Sequence, residues 1–326
     1  MWMPRQRLVS MSKELSLQET GSLLMAAQKI VLCTHVSPDG DTLGSSLGLA
    51  KFLLQRGKEV IVFCDDLLNK SFSFIPGLEL VQRPEAGTVV EADLLVVMDA
   101  SSFDRIGIVG EVVKYQQLLN IDHHISNTRF ADYLYLNAKA AATGEIMCEL
   151  FQAMEWPITK EIAECFYIAI STDCGSFRYG NTTPKTMRAG AWLLEQGVQP
   201  NEISDKLEMK SRLTMEMLAK VLPSLTFDAE GKIAYLTITN DIYNKEANTD
   251  SFVNYPRYIE GVEIAIMFKA VEKKVTRVSM RSSNVDVAQV ALSFGGGGHI
   301  RAAGCTIYAP VVEAREQLLA ELRKLV

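Results

Sequence analysis

The run KIVLCTHVSPDGD, residues 29–41, changes character at Thr34. Its first part, KIVLCT (29–34), is short, apolar and bounded by turn residues, and it reads as a buried strand. Its second part, THVSPDGD (34–41), puts His35, Asp39 and Asp41 into one turn. Buried without partners, those three side chains would each cost folding free energy. A strand that ends this way needs something to satisfy its polar end.

Working outward, EVIVFC (59–64), DLLVVMD (93–99) and QLLNID (117–122) repeat the same apolar strand pattern. A first helix is expected over residues 14–28, and TLGSSLGLAKFLLQRG (42–57) reads as a helix ending at Gly57. Strands alternating with helices predict an α/β fold with a mainly parallel sheet flanked by helices. Three helical segments follow, at 142–156, 160–172 and 184–197, with Pro184 suited to a first helical turn and Gly197 to a helix end. Residues 201–222 are charged and helical and read as a linker. Beyond Pro223 the texture changes: KIAYLTIT (232–239), VEIAIMFKAV (262–271) and VTRVSMRS (275–282) read as strands, and segments 285–294 and 311–326 as helices. The organisation expected is a larger domain over 12–196, a helical linker over 197–222, and a smaller α/β domain over 223–326.

Other polar residues also end apolar runs. Asp99 closes DLLVVMD, Asp122, His123 and His124 close QLLNI, and Asp173 closes IAIST. Ligands of an open parallel sheet gather outside the carboxyl ends of its strands, so His35, Asp39, Asp41, Asp99, His123 and Asp173 are expected to converge on one edge. One histidine or aspartate at a strand end is usually a turn or cap residue. Five carboxylates together would repel one another and stay protonated unless cations neutralised them. Two divalent metals supply that charge. Imidazole with carboxylate, and no thiolate pair nearby, suits Mn²⁺, with Mg²⁺ or Co²⁺ as substitutes.

Composition limits the alternatives. The chain has 326 residues, 22% of them charged, a net charge of −6 and a pI near 5.4. An acidic protein is a poor binder of long nucleic acid, whose affinity rests on neutralising many phosphates. No apolar run approaches the roughly 18 residues of a membrane span. The start, MWMPRQRLVSMSKEL, has no secretory signal pattern, and Met11 is an alternative to Met1 as the natural start. The six cysteines form no CxxC pair and suit a reducing cytoplasm. GSSLG (44–48) matches a hydrolase nucleophile pattern, but that pattern needs a strand-to-helix turn, and Ser46 falls within a helix. Neither a dinucleotide-binding glycine motif nor a Walker A motif is present.

In their order, THVSPDGD, VMDA, DHH and STD (171–173) resemble the four motifs of the DHH phosphoesterases. FGGGGHIRAAG (294–304), with SMRSS (279–283) upstream, resembles the DHHA1 domain that accompanies them. At this length the chain is most similar to the nanoRNase and pAp-phosphatase branch. The resemblance implies an active site between the two domains. It implies that His35 and Asp39 hold one metal and that Asp41, His123 and Asp173 hold the other, with Asp99 bridging. His124 would contact the scissile phosphate, and Asp122 would orient the imidazoles from behind. Cys174 follows Asp173 where a threonine is common, and a thiol there is a candidate for oxidation. The implied substrates are very short oligonucleotides, released as 5′-mononucleotides, and pAp, cleaved to AMP and phosphate. The rivals are a cyclic-dinucleotide phosphodiesterase, a pyrophosphatase (which lacks GGGGH), a longer strand-processing exonuclease, and a non-catalytic nucleotide-binding regulator.

The second domain has physics of its own. The glycines at 295–298 let a backbone approach an anion, and their amides could form a nest, or else a hinge or helix cap. Arg281, Gly297, Gly298 and His299 are the expected substrate contacts there, with Arg281 able to grip phosphate through two nitrogens. Phe177, Arg178 and Tyr179 read equally as base-stacking or phosphate contacts and as core and surface. The oligomeric state stays open between monomer and homodimer.

Overall fold

The computed structural model describes residues 12–326, so the question of Met1 or Met11 as the start lies outside the described residues. The chain divides into two compact units that meet between Met209 and Lys210. The expected linker is therefore shared. Helix α7 (Pro200–Glu208) belongs to the first unit, and α8 (Arg212–Val221) to the second.

Seven parallel strands make the first unit's sheet, in the order β1-β7-β6-β5-β2-β3-β4. The central members are β2 (Lys29–Cys33), β3 (Glu59–Phe63), β5 (Val90–Met98) and β6 (Val113–Asp122). All four coincide with the expected strands. The short β1 (Lys13–Glu14), β4 (Val81–Gln82) and β7 (Tyr133–Leu136) were not expected: β1 and β4 are two-residue segments with no apolar run, and β7 is a run of only four, YLYL. The first helix, α1 (Leu17–Ala26), is shorter than its pattern: Ser16 caps it in a reciprocal box with Glu19, and Lys13–Glu14 joins the sheet instead.

The strand order reverses between β2 and β5, where chain leaves the sheet in opposite directions. That is the crevice in which an open α/β sheet binds ligands.

Helices α2 (Gly40–Gln55), α4 (Thr143–Ala153) and α5 (Lys160–Asp173) cover one face, burying Leu47, Phe52, Phe151 and Phe166. Burial of each such side chain contributes about 1.5–3 kcal/mol. The α2–α5 contact is unusually close. A Cβ on Gly44 would lie 2.3 Å from the Cys165 carbonyl oxygen, and one on Gly48 2.3 Å from the Phe166 ring. Gly40 meets Thr172 in the same way. This four-residue glycine spacing lines one side of α2 and brings the end of α5, with Asp173, beside the start of α2, with Asp39. Ser46 lies buried inside α2, as its helical pattern predicts.

A six-stranded sheet ordered β12-β13-β11-β10-β9-β8 builds the second unit. Its main strands are β9 (Ile233–Ile238), β10 (Ile264–Glu272), β11 (Val275–Ser282) and β13 (Ala302–Ile307). Only β9 and β10 run parallel. Helices α10 (Val287–Ser293) and α11 (Val311–Leu322) cover one face. On the other face α8 packs against Leu236, Ile238, Ala265 and Met267 of β9 and β10.

The glycine run differs from expectation. Gly295, at φ +71°, and Gly296 donate their N–H groups to Leu292 and Ala291, closing the end of α10. Gly297–His299 is strand β12, paired with β13. The helix-cap reading thus holds for the first two glycines, and the four do not form one outward-facing nest.

Candidate metal centre

Each group of the site is delivered by the end of a regular element. His35 lies two residues beyond β2, Asp99 directly follows β5, and His123 and His124 follow β6. Asp39 caps the N-terminus of α2, its Oδ1 accepting from the amides of Asp41 (3.0 Å) and Thr42 (3.1 Å). Asp41 sits in that helix's first turn and is held from across the site by α4. Its Oδ2 accepts from the Thr143 amide (2.7 Å) and its Oδ1 from the Gly144 amide (2.9 Å) and the Ser45 hydroxyl (3.1 Å). A carboxylate at a helix N-terminus is favoured by unpaired amides and by the helix dipole.

Asp99 stands at the centre. It is 2% exposed and has φ +59°, a left-handed conformation that costs a non-glycine residue about 1–3 kcal/mol. Thr143 Oγ1 donates to its Oδ1 at 2.9 Å. Its two oxygens face different histidines: Oδ1 lies 3.5 Å from His123 Nε2, and Oδ2 lies 3.6 Å from His35 Nε2. Around it the ligand atoms fall into three overlapping groups, each within 4.8 Å: His35–Asp39–Asp99, Asp41–His123–Asp173, and Asp99–His123–His124. All six metal ligands expected from the sequence come together.

The imidazoles are aimed from behind. His124 Nδ1 donates to Asp122 Oδ1 at 2.7 Å, and the amides of His123 and His124 donate to the same oxygen. Asn127 holds the other Asp122 oxygen at 2.6 Å. The His123 Nδ1 lies 3.2 Å from the Ala140 carbonyl. Asp122 is fully buried, and although burial opposes it, the bond and charge of His124 keep its carboxyl below the usual range.

Arg105 was not foreseen: Nη2 of this residue is 3.0 Å from His35 Nδ1, while the Val36 carbonyl is 2.9 Å from the same nitrogen. Only a proton on Nδ1, donated to Val36, leaves Nε2 free to bind a metal. The only signal in the sequence was an arginine inside SSFDRIG, two residues before Gly107, in a turn of no evident chemistry.

The electrostatics are those of a site short of positive charge. Burial, with Asp99 and Asp173 nearby, raises Asp41 well above the carboxylate range, and burial with Asp39, Asp173 and Asp122 does the same to Asp99. Burial and Asp39 push Asp173 up to about 7. Asp39 goes the other way: burial opposes, but His35 and two backbone amides lower it to about 2. A cluster of carboxylates that must take up protons when alone, with imidazole nitrogens interleaved at 3.4–3.7 Å, fits divalent cations.

Three expectations lie at the margin. Arg178 is exposed, its Nε donating to the Gly175 carbonyl at 2.9 Å, in a turn where Gly175, Ser176 and Phe177 all have positive φ. Phe177 packs on Tyr167 and the main core, which decides for it against base stacking. Cys174 is fully buried, and burial raises its thiol, so the expected oxidation sensitivity is corrected: little thiolate forms and no reagent reaches it. In the second unit Arg281 is half-buried on β11, its Nη1 donating to the Met280 carbonyl at 2.9 Å, and Gly297 and Gly298 pair with Gly304 and Ala303. The side chain of His299 lies outside the described residues.

Two family models match the chain: the DHH family N-terminal domain over residues 29–170 and the DHHA1 domain over 230–326. A bifunctional oligoribonuclease and PAP phosphatase NrnA from Thermus thermophilus is 34% identical, the alignment covering 90% of this chain and 89% of that protein. The protein of the same name from Bacillus subtilis is 26% identical, with 91% and 94% covered. Among solved structures, an exopolyphosphatase-related protein from Bacteroides fragilis superposes with a TM-score of 0.87 at 25% identity, over 94% of this chain and 96% of that one. No helix among the described residues is long and apolar enough to cross a membrane.

Proposed function

Because the chain belongs to the DHH–DHHA1 phosphoesterase family, we propose that it hydrolyses very short oligonucleotides to 5′-mononucleotides and removes a phosphate from pAp to give AMP. The observation that carries this reading is the pair of Asp99 oxygens, Oδ2 turned to His35 of the His35–Asp39–Asp99 group and Oδ1 to His123, a member of the Asp41–His123–Asp173 group. His35, Asp39 and Asp99 would hold one Mn²⁺, and Asp41, His123, Asp173 and Asp99 a second. When bound, such ions neutralise the phosphoryl charge and make water a competent nucleophile near neutral pH.

The chain's own groups do the rest. Asp122 fixes the His124 ring through Nδ1, leaving Nε2 as the atom that can contact the scissile phosphate. The amides of Thr143 and Gly144 lock Asp41 so that its position does not depend on cations. Arg281, Gly297, Gly298 and His299 in the second unit, and Arg178 in the first, would contact the rest of the substrate. The acidic balance of the chain supports few phosphate contacts and so a preference for short strands.

The test is a substrate panel with Mn²⁺: pAp, oligonucleotides from two residues to twenty, a cyclic dinucleotide and pyrophosphate. The reading expects pAp and di- to tetranucleotides to be cleaved fastest, with a shallow salt dependence. Faster cleavage of long strands with a steep salt slope would overturn it.

A further inference from the structure

The half of the second sheet left open by α8 carries two cations in register. Lys269 on β10 pairs with Arg277 on β11, and Arg277 with Thr306 on β13. Like charges placed opposite each other on adjacent strands destabilise a sheet. Compensation is thin. Lys269, 15% exposed, reaches Thr249 Oγ1 at 3.2 Å and the largely exposed Asp250 only at 4.0 Å. Arg277 is exposed and has no carboxylate within ion-pair distance among the described residues. Counting Lys269, Arg277 and Asp250, the place keeps one net positive charge on an acidic protein.

These residues line a cavity of about 560 Å³, a volume within the range of small-molecule sites. Ser279 and Thr306 add hydroxyls, and Gly295, Gly296 and Gly304 leave bare backbone: a Cβ on Gly296 would lie 2.2 Å from the Gly304 carbonyl oxygen. Phe294 and Tyr308 also line it, Tyr308 being 83% exposed. Cations, hydroxyls and an exposed ring are the chemistry that receives a nucleotide with its phosphate.

We propose that this cavity is a distal subsite for a further phosphate-bearing nucleotide of an oligonucleotide, with Lys269 and Arg277 on the phosphate and Tyr308 beside the base. The proposal rests on the oligonucleotide reading above. Arg277 lies four residues from Arg281 along β11, about 13 Å at strand rise. A strand running along that face can present successive phosphates to the two arginines. On this proposal the cavity adds affinity for substrates with several nucleotides and little for pAp.

The experiment compares wild type with Arg277→Gln and Lys269→Met. With Mn²⁺ present, kcat/KM is measured for pAp and for oligoadenylates of two to five residues at several salt concentrations. With chelator present, Kd is measured for a labelled pentanucleotide. Each variant should weaken pentanucleotide binding and turnover by about tenfold, the loss of one charge-assisted contact. Its logarithmic salt slope should fall by about 0.7 per contact removed. The pAp parameters should stay unchanged. Equal losses for pAp and pentanucleotide, or an unchanged pentanucleotide Kd, would overturn the subsite. Lys269 is largely buried, so exposed Arg277 decides the matter if Lys269→Met fails to fold. Wild-type failure on every substrate would instead refute the oligonucleotide reading, and the Kd arm would still report on the cavity.

Discussion

Replacing Asp99 by Asn keeps the shape of the side chain and removes the one charge that faces both histidine groups. If Asp99 serves two ions, the change weakens two charge-assisted contacts of about 1.5–3 kcal/mol each. Together these are about 3–6 kcal/mol, or roughly 10²–10⁴ in turnover. The fold should survive, because the metal-free site carries more negative charge than it can hold. Asp41, Asp99 and Asp173 all have raised proton affinity, Asp173 up to about 7.

Between about pH 4 and 7 the folded chain then holds protons that the unfolded chain has released. The sign follows: in chelator, stability is greatest near pH 4 and is lost as pH rises toward 7, by up to about 1.4 kcal/mol per pH unit for each such group. Asp39, lowered to about 2, acts oppositely but only below pH 4. Asp99→Asn removes one of the proton-holding groups, so its stability curve should be flatter and its metal-free form more stable at pH 7. Phosphate release from pAp with saturating Mn²⁺, and denaturant melts in chelator from pH 4 to 8, measure the two effects. Wild-type turnover in the variant, or an unchanged pH slope, would refute the reasoning.

Gly44→Ala should act on the site from a distance. Its new Cβ would lie 2.3 Å from the Cys165 carbonyl oxygen, so α2 and α5 must part, at an overpacking cost of about 1–3 kcal/mol. Because Asp41 and Asp173 ride on those helices, Mn²⁺ affinity by calorimetry should fall as well, and unchanged affinity would mean that the helix spacing does not set the site. His124→Ala separates contact from ligation: it should keep both ions while kcat drops by about 10²–10⁴. Loss of metal by elemental analysis would instead make His124 a ligand, as the Asp99–His123–His124 grouping allows.

Most of the candidate metal centre was legible because its residues end, or closely follow, strongly patterned apolar runs. A strand such as DLLVVMD must be buried, and its terminal aspartate must leave at the sheet edge with the others. What escaped has equally physical reasons. The strands β1, β4 and β7 are two to four residues long and borrow their order from neighbours. Arg105 sits in a 3₁₀ turn with no periodicity, and its approach to His35 is a contact across seventy residues of sequence. The glycine run misled because glycine is free to cap, bend or extend. Here the carbonyls of Ala291 and Leu292 claim its first amides and β13 pairs with the rest. Phe177 was ambiguous until its ring was seen against Tyr167.

The central claim is that this carboxylate–imidazole cluster holds two divalent ions that make phosphoester cleavage possible. Its most direct test is to strip the chain with chelator, titrate Mn²⁺ back, and follow bound metal and pAp hydrolysis in the same samples. Two ions bound per chain, with hydrolysis absent at zero and rising as the second site fills, is the predicted result. Full hydrolysis in chelator, or saturation of activity with no metal bound, would contradict it.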